Sequence, residues 1–228
     1  GSGKSETIHS IIASLLMHNT FSTTKNTDSV ISTIIDVIDM KGSEFIDYKD
    51  TYINVISNEY DAFSYLERLC RCMEGRYKLF AEQGCSDIDS YIEKGNKLSR
   101  KVCIIDEFAD LILKNRDVEE YIVRLAQKSR ACGIHLIIGT QSPRADVVTG
   151  LIKANIPFRI ALNTSSAIES RIILDEGGAE KLYGKGDMLI KKGGNKPIRA
   201  QGCFVCDSDK AGITSIISGL IHKSINVE

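Results

Sequence analysis

The chain has 228 residues, 43% of them hydrophobic, enough for one large α/β domain with a buried core. A formal net charge of −1 excludes a basic coat, so contact with nucleic acid must come from local patches or from several subunits acting together. No apolar run reaches the roughly 18 residues of a membrane span and nothing resembles a signal peptide, while the seven scattered cysteines fit a reduced, cytoplasmic protein with no membrane segment in this chain.

Apolar residues at Ile8, Ile11, Ile12, Leu15 and Leu16 predict a helix over 4–17. A polar stretch follows, then a β-branched run centred on Ile34 to Ile38 that predicts a strand, and a second short strand at 52–56. Phe63, Leu66, Leu69, Cys70, Met73, Tyr77 and Phe80 mark one face of a long amphipathic helix over 61–80, stopped by Gly84. A shorter helix is predicted over 87–94. Val102 to Ile105 is a short apolar run that predicts a fully buried central strand, with Asp106 and Glu107 at its tip. A helix over 118–131 and a buried strand over 134–139 come next, the strand ending in Thr140-Gln141. A helix over 146–153, a strand over 156–162, helices around 165–183, β-like runs at 187–191 and 197–205, and a last helix over 207–222 complete the chain. Strands alternating with helices predict an α/β fold with a mostly parallel sheet covered on both faces. With no repeat and no low-complexity linker, residues 1–228 are expected to form one domain.

Two stretches carry chemistry. The opening Gly1-Ser2-Gly3-Lys4-Ser5 is the second half of a phosphate-binding loop, G-x-x-x-x-G-K-[ST], directly before a helix. Glycines let backbone N–H groups approach phosphate closely; Lys4 is placed to reach the β- and γ-phosphates of ATP, and Ser5 to ligate Mg²⁺. The loop's leading glycine and its strand are expected to precede residue 1, with that strand next to the one ending in Asp106. The second stretch is four apolar residues followed by Asp106-Glu107, a Walker B pattern. Asp106 is expected at the Mg²⁺ ion and Glu107 at the attacking water, with Gln141 at the neighbouring strand tip sensing the γ-phosphate. Cys203 and Cys206 have C-x-x-C spacing with no second pair, so no zinc site is expected; Cys103 and Cys132 read as small core residues.

The blocks CIIDEFADLIL, VRLAQKSRACGIHLIIGTQSP, DVVTGLIKANIPFRIAL and SSAIESRIILDEGGAEKLYGKGDML, in this order, resemble the motor domain of FtsK/SpoIIIE-type DNA translocases, and IIDVIDMKGSEF and MEGRYKLFAEQG extend the resemblance upstream. It implies a RecA-like P-loop core that assembles as a homo-hexamer around double-stranded DNA and hydrolyses ATP. Lys4, Ser5, Asp106, Glu107 and Gln141 match that family's nucleotide site. Arg130 matches its arginine finger, which acts on a neighbouring subunit's ATP. Arg76 is a weaker second finger candidate, more readily an exposed helix residue. Lys153 and Arg171 match basic positions on the DNA-facing loops. Ser142 and Ala167 stand where the family usually has basic residues, and Arg144 is a candidate replacement for the first. The alternative is a protein-export ATPase of the type VII secretion class, which shares the superfamily.

Overall fold

The computed structural model describes residues 2–25, 33–48, 51 and 53–215. Four parallel strands form the central sheet in the order β2-β1-β3-β4: β1 Thr33–Ile38, β2 Ile53–Ile56, β3 Arg100–Ile105 and β4 Ile134–Ile138. Side chains of a strand alternate between faces, and here both faces are apolar. Val102 and Ile104 of β3, with Ile35 and Val37 of β1, pack under Ile8, Ile12 and Leu16 of α1 (Lys4–Lys25). Cys103 and Ile105 of β3 face the other way, into a larger core built on α2 (Glu59–Glu82). The sheet is therefore parallel and covered by helices on both faces, as expected from the pattern.

α2 starts at Asn58, whose side chain accepts from the Asp61 N–H at 2.9 Å and satisfies one free donor of the first turn. Its buried stripe includes Leu66, Leu69, Met73 and Phe80. Each such side chain is worth about 1.5–3 kcal/mol when removed from water. Arg76 lies on the same stripe, 5% exposed. Its guanidinium donates to the Cys132 carbonyl at 2.7 Å and to the Ser99 carbonyl at 2.7 Å. This corrects the reading of Arg76 as an exposed residue or a finger: it is an internal strut that joins α2 to the chain entering β3 and β4. Cys103 and Cys132 are fully buried core residues as expected, and burial pushes both thiols above their ordinary pKa. Asp36 of β1 is buried and accepts from the Tyr65 hydroxyl at 2.8 Å and the Asn54 side chain at 3.1 Å.

The short helix expected near 87–94 is α3 (Ile88–Glu93), closed by a capping box between Asp87 and Ser90. A helix the pattern did not show, α4 (Phe108–Lys114), begins directly after the acidic pair; its seven residues are too few for a clear period, and Phe108, Leu111 and Ile112 bury it. α5 (Val118–Lys128) follows. α6 spans Gly150–Asn155, later than the 146–153 expected, because Thr149 caps it by accepting from the Ile152 N–H at 3.3 Å.

Two expectations about the sheet are corrected. β5 (Phe158–Leu162) is outside the parallel sheet. It pairs antiparallel with β6 (Asp187–Lys192), which pairs antiparallel with β7 (Ile198–Gln201), giving a separate three-stranded sheet. α7 (Ala167–Leu174) packs on it around Ala161, Leu174, Ala179 and Leu182. Secondly, β3 is bonded to β1 on one side and β4 on the other, so the place beside it that the reading reserved for a phosphate-loop strand is taken. Residues 207–215 are helical; the rest of the last predicted helix lies outside the described residues. No helix of the described residues is long and apolar enough to cross a membrane.

Replacing Arg76 by Met keeps the volume and removes the donors to the buried Cys132 carbonyl and to the Ser99 carbonyl. Chemical denaturation is expected to show a loss of about 2–4 kcal/mol; a change within error would remove the strut.

Candidate active site

Because the four central strands run parallel, their C-terminal ends share one edge, where open α/β sheets bind ligands. β3 delivers Asp106 and Glu107 to that edge and β4 delivers Thr140 and Gln141. The first turn of α1 meets them there. Lys4 Nζ donates to Asp106 Oδ1 at 2.9 Å and to the Asp106 carbonyl, and stands 3.6 Å from Glu107 Oε2. All three are largely shielded, with side chains 12%, 2% and 7% exposed. Three charges in so little water make a strong local field.

Glu107 is the N-cap residue of α4, yet its side chain makes no cap bond. It turns toward β4 instead. Thr140 Oγ1 donates to Glu107 Oε1 at 2.6 Å and the Gln141 backbone N–H donates to Oε2 at 2.7 Å. Each oxygen thus accepts one hydrogen bond and is aimed by a rigid neighbour. The Gln141 side chain is exposed; its amide N–H makes the contact. In the sequence Thr140 is only one of two polar residues at a strand tip; in the fold its hydroxyl holds the acid. Gly139, bonded through its N–H to the Ile105 carbonyl at 2.7 Å and through its carbonyl to the Phe108 N–H at 2.8 Å, keeps the two strand tips in close contact. A Cβ there would stand 2.7 Å from the Asp106 carbonyl and 3.3 Å from Lys4 Cδ.

The loop before α1 has the backbone freedom that phosphate binding requires. Gly3 has φ +102, and a Cβ on it would stand 2.7 Å from the Gly186 nitrogen. Gly186 N–H in turn donates to the Ser2 carbonyl at 3.1 Å. Ser5 is half-buried on the first turn of α1, and Gly1 lies outside the described residues. This donor set fits a nucleotide with Mg²⁺: backbone N–H groups and an ammonium for phosphate, and one hydroxyl with one carboxylate for a hard cation that keeps several waters. Among the described residues no cluster of three or more His, Cys, Asp or Glu forms a closed metal cage.

A family model described as FtsK/SpoIIIE family matches residues 1–145. The chain belongs to the FtsK/SpoIIIE family. It is 46% identical over 220 residues to the DNA translocase SftA of Bacillus subtilis (strain 168), covering 92% of this chain and 22% of that protein. The chain therefore spans about a fifth of that curated relative's length. Among solved structures it resembles the pCW3 conjugation coupling protein TcpA in its monomer form with ATPγS, with a TM-score of 0.81 and 31% identity, covering 95% of this chain and 62% of that one. The cytoplasmic domain of the Thermomonospora curvata type VII secretion ATPase EccC shares the fold, with a TM-score of 0.79 and 22% identity over 96% of this chain and 27% of that one. The fold is that of the P-loop ATPases, as expected.

The remaining residues singled out by the resemblance lie away from this centre. Arg130 is exposed and precedes β4, at the N-terminal edge of the sheet, whereas Glu107 follows β3 at the opposite edge. Roughly 15 Å of strand separates the two edges. Lys153 is ion-paired to Asp175 at 2.8 Å, and Arg159 also reaches Asp175, at 2.9 Å. The hydrogen bond from Lys153, then that from Arg159, holds the Asp175 carboxyl below its ordinary pKa. Arg144 is bound through both its Nε and an Nη to Asp146, each at 3.0 Å. Arg171 is exposed on the last turn of α7. Ser142 uses its N–H to donate to Thr140 Oγ1 at 3.1 Å, and Ala167 opens α7.

Gly139→Ala is expected to lower stability by about 1–3 kcal/mol in thermal unfolding, since the new methyl meets backbone that cannot rotate away. Wild-type stability in that variant would mean that the two strand tips are not locked together.

Proposed function

We propose that residues 1–228 form one RecA-like motor domain of an ATP-driven double-stranded DNA translocase. The observation that carries this reading is the Glu107 carboxylate, held by two donors beside Lys4 and Asp106, in a chain 46% identical to a protein named as a DNA translocase. The structural neighbour named with ATPγS supports nucleotide binding in general.

In this reading the phosphates of ATP lie against Ser2, Gly3 and the first turn of α1, whose N–H groups and dipole favour anions. Lys4 exchanges Asp106 for the β- and γ-phosphates. Ser5 and Asp106 would hold Mg²⁺. The ion, when bound, neutralises charge on the phosphate oxygens. Glu107 orients and polarises the attacking water, and the Thr140 hydroxyl and the Gln141 N–H keep it from rotating away. The Gln141 side chain is free to report on the γ-phosphate.

Arg130 is too far from Glu107 to serve its own site, since it stands at the opposite end of the sheet. It acts in trans, on the site of a neighbouring copy, which calls for a ring; a homo-hexamer is the form we propose. DNA is gripped through phosphates, without base readout, by Arg171 and by Lys153 and Arg144 once they exchange their acidic partners for phosphate. The domain works on the cytoplasmic side. A protein-export role has weaker support, since the secretion ATPase shares the fold at 22% identity.

ATP hydrolysis by the full-length protein is expected to rise strongly with long double-stranded DNA, to depend cooperatively on protein concentration and to fade with salt. Stimulation by a signal peptide in place of DNA would move the assignment to protein export. Glu107→Gln is expected to bind nucleotide as the wild type does and to lose turnover by at least about 100-fold; retained turnover would remove Glu107 from the role. Arg130→Ala alone is expected to lose hydrolysis by about 1,000-fold or more. Mixed with Glu107→Gln it should regain part of it, through sites pairing an intact Glu107 with a neighbour's Arg130; no gain on mixing would rule out action in trans.

A further inference from the structure

A groove of about 620 Å³ opens beside the phosphate-binding end of α1, between the turn after Leu182 and strand β7. It is shallow and widely open to solvent. The nucleotide reading above gives this groove no role, and none of the residues quoted for the P-loop or Walker B patterns lines it.

Its floor is a locked polar unit. Asp187, the first residue of β6, accepts from Arg199 Nε at 2.9 Å and from Arg199 Nη2 at 2.6 Å, across the pair β6–β7. The same carboxylate accepts from the Tyr183 backbone N–H at 2.8 Å. The hydrogen bonds from Arg199, then from the Tyr183 N–H, hold the Asp187 carboxyl down to about 2. The guanidinium carbon of Arg199 in turn lies 5.0 Å from the centre of the Tyr183 ring. A large aromatic side chain is thus backed by a fixed cation while remaining 88% exposed. One face is braced and the remainder is open to the groove.

This platform is joined to the phosphate loop through one residue. Gly186, between Tyr183 and Asp187, donates its N–H to the Ser2 carbonyl at 3.1 Å and crowds Gly3 so closely that no Cβ fits between them. A ligand whose phosphates rest on Gly3 and Lys4 therefore has the turn 183–187 at its side. Of the groove's polar side chains, Asp187 and Arg199 bind each other and Gln201 is committed to the Lys185 carbonyl at 2.8 Å, which leaves Lys185 facing the opening.

We propose that Tyr183, braced by Arg199, is the stacking platform for the base of the bound nucleotide. The inference rests on the nucleotide site proposed above and adds its selectivity. A ring face reads the flat area of a base and ignores its edge. The site then takes purine nucleoside triphosphates, tolerates adenine or guanine, and binds pyrimidine nucleotides less well. Arg199 is a positioning residue, acting through the ring.

The experiment is calorimetric titration of the full-length protein with ATP, GTP, CTP and inorganic tripolyphosphate, all with Mg²⁺. Wild type should bind ATP and GTP within about threefold of each other and CTP more weakly. Tyr183→Ala should lose about tenfold in ATP affinity and leave tripolyphosphate binding unchanged, and Tyr183→Trp should restore ATP affinity. Arg199→Ala should fall between these. ATP affinity unaltered in Tyr183→Ala, with tripolyphosphate and ATP both bound, would overturn the platform and leave the nucleotide site standing. Failure of wild type to bind either ligand would overturn both. Equal losses for ATP and tripolyphosphate would mean that Tyr183 shapes the phosphate loop, and would likewise overturn the stacking role.

Discussion

The ammonium of Lys4 between Asp106 and Glu107 is the contact on which the rest of the edge depends. Two consecutive carboxylates at the end of a buried strand, each under a tenth exposed, repel one another and lose most of their hydration. Removing either partner of such a buried set is strongly destabilising, because it leaves charge unpaired. The single cation resolves this, and it arrives on the first turn of α1. The helix, the tip of β3 and, through Glu107, the tip of β4 are thereby fastened at one point.

Much of this edge could be read from the residues. The apolar run Val102 to Ile105 followed by two acids is a short, strong pattern, and so is Lys-Ser before an amphipathic helix. What the pattern did not carry was where the acids point. That depends on Thr140 and the Gln141 N–H, 33 and 34 positions further on, and on backbone crowding at Gly139. Long-range hydrogen bonds to backbone have no composition signature. The fold class was legible for the same reason that the strands were: β-branched residues in short runs between helical periods. The split into two sheets was not, since β5 looks like any other buried strand until its antiparallel partner β6 is known.

Charged residues were the least legible. Arg76 sits among alternating polar residues in EGRYKLF, a context that reads as solvent. Its neighbours Met73 and Phe80 place it on the buried stripe, and the two carbonyls it satisfies lie 23 and 56 residues away. Lys153 and Arg144 read as free cations because Asp175 and Asp146 could not be assigned to them by spacing alone. In the folded chain both are neutralised locally, so the net charge a polyanion would meet is smaller than the count of basic residues indicates.

The segment 129–133 has a further consequence. Ile88 N–H donates to the Ala131 carbonyl at 2.9 Å, Arg76 holds the Cys132 carbonyl, the Ser129 hydroxyl donates to the Ile134 carbonyl at 2.7 Å, and the Tyr77 hydroxyl takes the Lys128 carbonyl just before it. The backbone on either side of Arg130 is thus fixed in the isolated chain. A partner surface that engages this arginine has no loop to order; it immobilises one side chain, at a cost of about 2 kcal/mol of rotamer freedom. Backbone ordering at about 1–2 kcal/mol per residue over the same stretch would have cost several times more. Backbone ordering for a contact made at this point has already been met by the fold.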